Sequence, residues 1–129
     1  MLKTGILNPA LLSLLARVRH TNTLVIADRG FPSWPQIETV DLSLVDDVPT
    51  VIQVLKALRP NFVIARAFAA ENFREHNSPQ KLEALLALLR PAEVVFEPHA
   101  DFKRRVPAAI GLVRTGDTTP YGNLIVESG

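Results

Sequence analysis

His20-Thr21-Asn22-Thr23 runs into the apolar stretch Leu24-Val25-Ile26-Ala27 and stops at Asp28-Arg29-Gly30. The run is too short for a helix and is bounded by turn residues. It reads as a strand buried on both faces, the kind found in helix-covered parallel sheets. Asp28 then leaves the strand and faces a glycine turn, where a rigid scaffold holds loop groups in register for a small molecule. A second segment has the same design: Arg114-Thr115-Gly116-Asp117-Thr118-Thr119-Pro120-Tyr121-Gly122-Asn123 precedes the apolar run Leu124-Ile125-Val126.

Outward from that strand, helices and strands alternate. Asn8-Pro9 is a helix start, because Asn caps and Pro suits the first helical position. Leu11, Leu14, Leu15 and Val18 share one face of that helix, which should end near Arg19. Phe31-Pro32-Ser33-Trp34-Pro35 is an irregular loop. Val40, Leu42 and Leu44 alternate with Asp41 and Ser43, which predicts a strand. Asp47-Val48-Pro49 opens a helix with Val51, Val54, Leu55 and Leu58 on its face. A strand follows at Phe62–Ala65, and one or two helical turns at Ala69–Glu75, ending at His76-Asn77. Ser78-Pro79 starts a helix with the stripe Leu82, Leu85, Leu86 and Leu89, stopped by Pro91, a face more apolar than a small monomer needs to hide and expected to serve assembly. Glu93–Glu97 is a strand and Pro98–Arg105 a short helix. Ala109–Val113 and Asn123–Glu127 are the last two strands. The expected fold is therefore α/β: a single domain over 1–129, in three layers, with a mostly parallel sheet of about six strands covered by helices. No repeat, low-complexity segment or linker interrupts it.

The 129 residues are 47% hydrophobic, enough for a core, but only 6% aromatic, so Leu, Val, Ile and Ala must build it. Charge is balanced, with 14 Lys+Arg against 13 Asp+Glu. That leaves no basic field for phosphate backbones and argues against nucleic acid as a partner. The chain has no cysteine, which excludes a disulfide scaffold and a thiolate metal site. Near the start, Asn8-Pro9 interrupts the apolar residues, Arg17 and Arg19 follow, and no small-residue cleavage site appears. No apolar stretch approaches the ~20 residues of a membrane span. The reading is a soluble cytoplasmic protein.

Few side chains can carry chemistry. The three histidines, His20, His76 and His99, show no i, i+4 metal spacing. His20 follows a helix end, where its blander role is to complement the helix dipole. His99 reads equally as a solvated loop or capping residue, and His76 as a surface residue. Asp28 is either a turn-former or a carboxylate that accepts from ligand hydroxyls. Gly122 and Asn123 can simply make a turn. Tyr121 is the only tyrosine, and Lys103 is most cheaply a solvated residue. There is no nucleophile elbow, Walker loop or dinucleotide fingerprint. Imidazole, carboxylate, amide, phenol and ammonium together fit a neutral polyhydroxylated ligand, with a His to carry protons near neutral pH.

Taken in order, the segments resemble the D-ribose pyranase family and its relatives, the L-fucose mutarotases. The resemblance runs nearly end to end. It rests on Gly5-Ile6-Leu7-Asn8, Arg19-His20-Thr21, Leu24–Asp28, Phe31-Pro32, Asp41–Leu44, Val48-Pro49, His99 with Phe102-Lys103, and Arg114-Thr115-Gly116 through Pro120-Tyr121-Gly122-Asn123. It implies interconversion of pyranose and furanose forms of D-ribose without cofactor or metal. It also implies ring-shaped homo-oligomers, often decamers, with sites shared between subunits. By resemblance His20 is the proton donor, and Asp28, His99, Tyr121 and Asn123 bind the sugar, with Lys103 a further candidate. Arg29 stands where a small residue is usual. Gly122 is more typical of the fucose branch, which commonly differs from the ribose branch's Ala, whereas His99-Ala100-Asp101-Phe102-Lys103 is the ribose pattern.

Alternatives are a mutarotase for another sugar such as L-fucose, a non-catalytic sugar-binding transport accessory, and a metal enzyme using His20, Asp28 and His99. One geometric consequence is plain. At ~3.3 Å per residue a strand from Thr23 to Asp28 spans on the order of 16 Å. His20 and Asp28 of one chain then share a pocket only if the chain before Thr23 folds back. Otherwise one of them serves a neighbour's site.

Overall fold

Leu24, Val25, Ile26 and Ala27 are all fully buried in strand β1 (Thr23–Ala27), and the rest of the molecule is arranged on its two faces. The structure, a computed structural model, describes residues 1–129. In chain order β1 is preceded by α1 (Pro9–Arg17). It is followed by β2 (Glu38–Asp41), α2 (Val51–Leu58), β3 (Ile64–Ala70), α3 (Glu71–His76), α4 (Pro79–Leu89), β4 (Glu93–Glu97), α5 (His99–Arg105), β5 (Gly111–Arg114) and β6 (Leu124–Ser128). Short 3-10 turns occupy Arg59–Asn61 and Val106–Ala108.

The six strands form one sheet in the order β2-β5-β1-β6-β3-β4. Five run the same way, and β6 alone is antiparallel to its neighbours β1 and β3. Alternation along β1 decides the layers. Leu24 and Ile26 face a core completed by α1, α2, α3 and α4, through Leu14, Leu55, Phe73 and Leu89. Val25 and Ala27 face a smaller core made with Phe31, Phe102 of α5 and Val106. This is the expected three-layer α/β fold. Truncating Leu24 or Ile26 to Ala costs about 2–5 kcal/mol by cavity formation.

The helix starts follow their caps. Asn8 Oδ1 accepts from the Leu11 N–H at 2.9 Å. Ser78 Oγ accepts from the Lys81 N–H at 3.2 Å. No helix is long and apolar enough to cross a membrane.

Four local expectations shift. β2 lies at Glu38–Asp41, earlier than the Val40–Leu44 alternation predicts. Its parallel partner β5 ends at Arg114, opposite Asp41, so Leu44 is left outside the sheet and exposed. α2 starts at Val51, after Thr50, whose hydroxyl and Gln53 form a capping box, rather than at Asp47. Asp47 instead adopts a left-handed backbone (φ 60) and accepts from the backbone N–H and hydroxyl of Thr118. β3 continues through Ala70, where helical turns were expected, because Ala67–Ala70 are buried between β6 and β4. The α4 stripe turns into its own core: Leu85 and Leu89 are buried, Leu82 and Leu86 half-buried.

Candidate functional site

Because β6 is antiparallel, its entry lies beside the exit of β1, and Ile26 pairs with Leu124. Asp28 and Asn123 therefore meet. The Asn123 amide clamps Asp28 twice. Its Oδ1 accepts the Asp28 backbone N–H at 2.7 Å, and its Nδ2 donates to Asp28 Oδ2 at 3.0 Å. Asp28 Oδ1 accepts from the Gly30 N–H at 2.9 Å, an Asx turn. The carboxylate is thus fixed in orientation, with acceptor capacity left for a ligand.

His99 reaches the same edge as the first residue of α5, just beyond β4. Its ring stacks on Phe102 at 6.1 Å with only 9° between the planes. Tyr121 stands edge-on to it at 5.2 Å and packs its other side against His76 at 5.0 Å. Tyr121 has φ 54, a left-handed conformation that costs a non-glycine residue about 1–3 kcal/mol and persists only where surroundings impose it. Here the Gly122 N–H bonds Thr119 O at 3.1 Å, closing the turn around Tyr121, and two imidazoles pack on its ring. Burial, then the Lys103 ammonium, pulls the His99 imidazole below the ordinary histidine range, with Asp28 opposing. His99 Nδ1 is buried without a partner in the chain, so no protein group fixes its tautomer.

Asp28, His99, Lys103, Tyr121 and Asn123 line one pocket of about 340 Å³, walled on one side by Gly30, Phe31 and Pro32. All five of the expected binding residues are brought together. His20 is not among them. It is exposed on the turn that enters β1, at the opposite edge of the sheet, where the Thr21 N–H bonds Ser128 O at 2.9 Å. It does not cap α1 either. Arg19 takes that role, donating to the carbonyls of Ala16 and Val18. A metal triad of His20, Asp28 and His99 is accordingly not assembled within the chain.

A second cavity, of about 330 Å³, lies between α2, α4 and the turn before β6. Its buried polar groups are satisfied internally: Asp117 accepts from the N–H groups of Val51 and Thr119, and the Asn123 amide is taken up by Asp28. Asp117 serves the fold by tying α2 to the turn.

The model of the RbsD / FucU transport protein family matches residues 1–129. The chain belongs to this family. It is 40% identical over 129 residues to the D-ribose pyranase of Geobacillus kaustophilus, covering 100% of this chain and 94% of that one. It is likewise 40% identical to the D-ribose pyranase of Chromobacterium violaceum, covering 100% and 98%. Bacillus subtilis RbsD complexed with D-ribose superimposes with a TM-score of 0.93 at 32% identity, covering 100% of this chain and 98% of that chain. The fucose mutarotase of Streptococcus pneumoniae, solved in complex with L-fucose, shares the fold with a TM-score of 0.80 at 19% identity, covering 95% and 92%.

Two residues of this RbsD / FucU chain acquire meaning only in three dimensions. His76, read as a surface residue, is exposed but buttresses Tyr121. Arg29, between the pocket residues Asp28 and Gly30, pairs with Asp46 at 2.6 Å. No periodicity or spacing in the sequence signals either contact.

Proposed function

We propose that this chain is a D-ribose pyranase, interconverting the pyranose and furanose forms of ribose. The observation that carries the proposal is the pocket at the sheet edge, in a chain that superimposes along its whole length on RbsD complexed with D-ribose. In the ring-opening step the pyranose ring oxygen gains a proton while the anomeric hydroxyl loses one, giving the open aldehyde. A different hydroxyl then attacks the aldehyde carbon, losing its proton as the carbonyl oxygen gains one. The sum is an isomerisation with no electron transferred, so imidazole and carboxylate groups suffice. Asp28 accepts from sugar hydroxyls, Tyr121, Asn123 and Lys103 complete the polar lining, and neutral His99 offers either a donor or an acceptor.

His20 is the proton donor, supplied by a neighbouring subunit to the pocket it cannot reach in its own. The separation of His20 from Asp28 by the length of β1 supports this, as do the exposed apolar side chains of Leu2, Leu7, Leu44 and Val45. We extend the proposal to a ring-shaped homo-oligomer, a decamer by resemblance, working in the cytoplasm. Light scattering at micromolar concentration that gave a monomer would end the shared-site reading.

Exchange NMR on a ribose solution tests the activity. Accelerated pyranose–furanose exchange is expected. Accelerated α–β exchange alone would make the chain a mutarotase for another sugar, and binding without exchange a non-catalytic sugar-binding protein.

A further inference from the structure

Half of the pocket wall consists of loop, and that loop has no strand to hold it. After β1 the chain runs through Asp28, Arg29, Gly30, Phe31 and Pro32, whose backbone groups leave the sheet. Their N–H groups are taken up on one side: Asp28 by Asn123, Arg29 by the Asp117 carbonyl at 3.1 Å, Gly30 by the Asp28 side chain. Four of their five carbonyls, all but that of Gly30, converge on a single side chain. Arg114 Nη1 donates to Phe31 O at 2.6 Å and lies 3.3 Å and 3.4 Å from the carbonyls of Asp28 and Arg29. Nη2 lies 3.4 Å from Pro32 O.

The geometry points to Arg114 as a positioning residue for the sugar pocket, acting through the carbonyls of the Asp28–Pro32 loop. The inference rests on the reading of that pocket as the ribose site. Arg114 does not itself line the pocket, and its guanidinium is turned to the backbone of residues that do. Its own backbone is fixed as the last residue of β5, paired with Ala27 on one side and Asp41 on the other. A planar guanidinium presents five N–H donors in a rigid fork, which lets one side chain serve several carbonyls at once. An ammonium on a shorter stem cannot span the same set.

The effect passes beyond the loop. The Phe31 ring sits edge-on to Phe102 at 6.1 Å and 82°, and Phe102 is the ring on which His99 stacks. Holding Phe31 O therefore holds the ring beneath His99 as well as the backbone that carries Asp28. Ångström-scale misplacement of a binding group costs up to about a hundredfold. Releasing this clamp should accordingly weaken sugar binding while leaving the two cores in place.

The test uses the full chain with Arg114→Met and Arg114→Lys. D-ribose affinity is measured by calorimetry and turnover by exchange NMR. The position of the loop is read from acrylamide quenching of Trp34, the only tryptophan, whose ring lies 6.3 Å from that of Phe31. Both variants should lose about tenfold or more in ribose affinity and raise KM further than they lower kcat. Trp34 should become more quenchable, and Lys should not rescue. An affinity within twofold of the parent, or full rescue by Lys, overturns the inference. Should a variant fail to fold, nitrogen-15 spectra of the unsubstituted protein decide. The Arg114 guanidinium should show restricted rotation with or without sugar, and free rotation overturns the clamp. If the parent protein binds no ribose, the ribose reading falls, while the quenching and nitrogen-15 results still judge the clamp.

Discussion

At the edge where β1, β4 and β5 end and β6 begins, side chains brace one another: Asn123 holds Asp28, Phe102 and Tyr121 hold His99, and His76 backs Tyr121. At the opposite edge the backbone is just as firmly placed. Thr21 bonds Ser128 O, and the Arg19 N–H bonds Asn22 Oδ1. Yet His20 is exposed there, with Thr21 at φ 67 setting the turn. The first edge is built as a cavity and the second as a presented group. Under the shared-site proposal one subunit supplies the cavity and its neighbour the presented group.

The largest break in this comparison is His20→Ala. It should lower ribose exchange by about a hundred- to ten-thousand-fold while circular dichroism and ribose binding change little. Normal exchange in that variant would remove His20 from the chemistry. Mixing sharpens the contrast. Inactive His20→Ala combined with inactive Tyr121→Phe should regain part of the activity once subunits exchange, because one combination of subunits forms an intact pocket. Demonstrated exchange with no recovery would assign the pocket to one chain.

Smaller effects are expected when the braced edge alone is disturbed. Gly116 packs against the 45–48 turn, and a Cβ there would lie 2.3 Å from Val45 O. Gly116→Ala should destabilise by about 1–3 kcal/mol, read as a lowered Tm, since backbone must move. An unchanged Tm would show that the turn is free to give. Asn123→Ala leaves the Asp28 N–H without its partner. It should cost about 1–3 kcal/mol, and ribose affinity should fall because the carboxylate loses its orientation. Retained affinity would mean that Asp28 is held by the Asx turn alone.

The smallest effect is pH dependence from His99. Its folded imidazole titrates below the unfolded value near ~6.5, so the unfolded chain binds more protons in that window. The His99 contribution is fully present above that value and declines as pH falls toward the folded pKa. A thermal scan should show the slope on the acid side, and His99→Gln should remove it. A parent protein whose His99 titrates in NMR at or above the ordinary value would contradict the burial argument.

Much of this was legible in the chain. Asn8-Pro9 and Ser78-Pro79 announce helices because caps are local chemistry, and Leu24–Ala27 announces a central strand because nothing else buries four apolar residues so bounded. The polar residues next to strand ends could be picked out for the same reason. What escaped was settled by distant neighbours. Ala69 and Ala70 read as the start of helical turns, but pairing with β4, and of Ala69 with β6, keeps them extended. Asp47 resembles a helix opener, but Thr118 claims it. Arg114 meets carbonyls more than eighty positions away in sequence, and no pattern in the sequence marks that contact.

The place of β6 ties the pocket to the continuity of the sheet. On one side of it lie β2, β5 and β1, on the other β3 and β4, and no strand of the first group pairs with one of the second. The residues of both half-sheets precede in the chain the strand that joins them, and that strand sits between them rather than at an edge. Asn123 directly precedes it and closes on Asp28. The continuity of the sheet and the clamp on Asp28 therefore depend on the same strand.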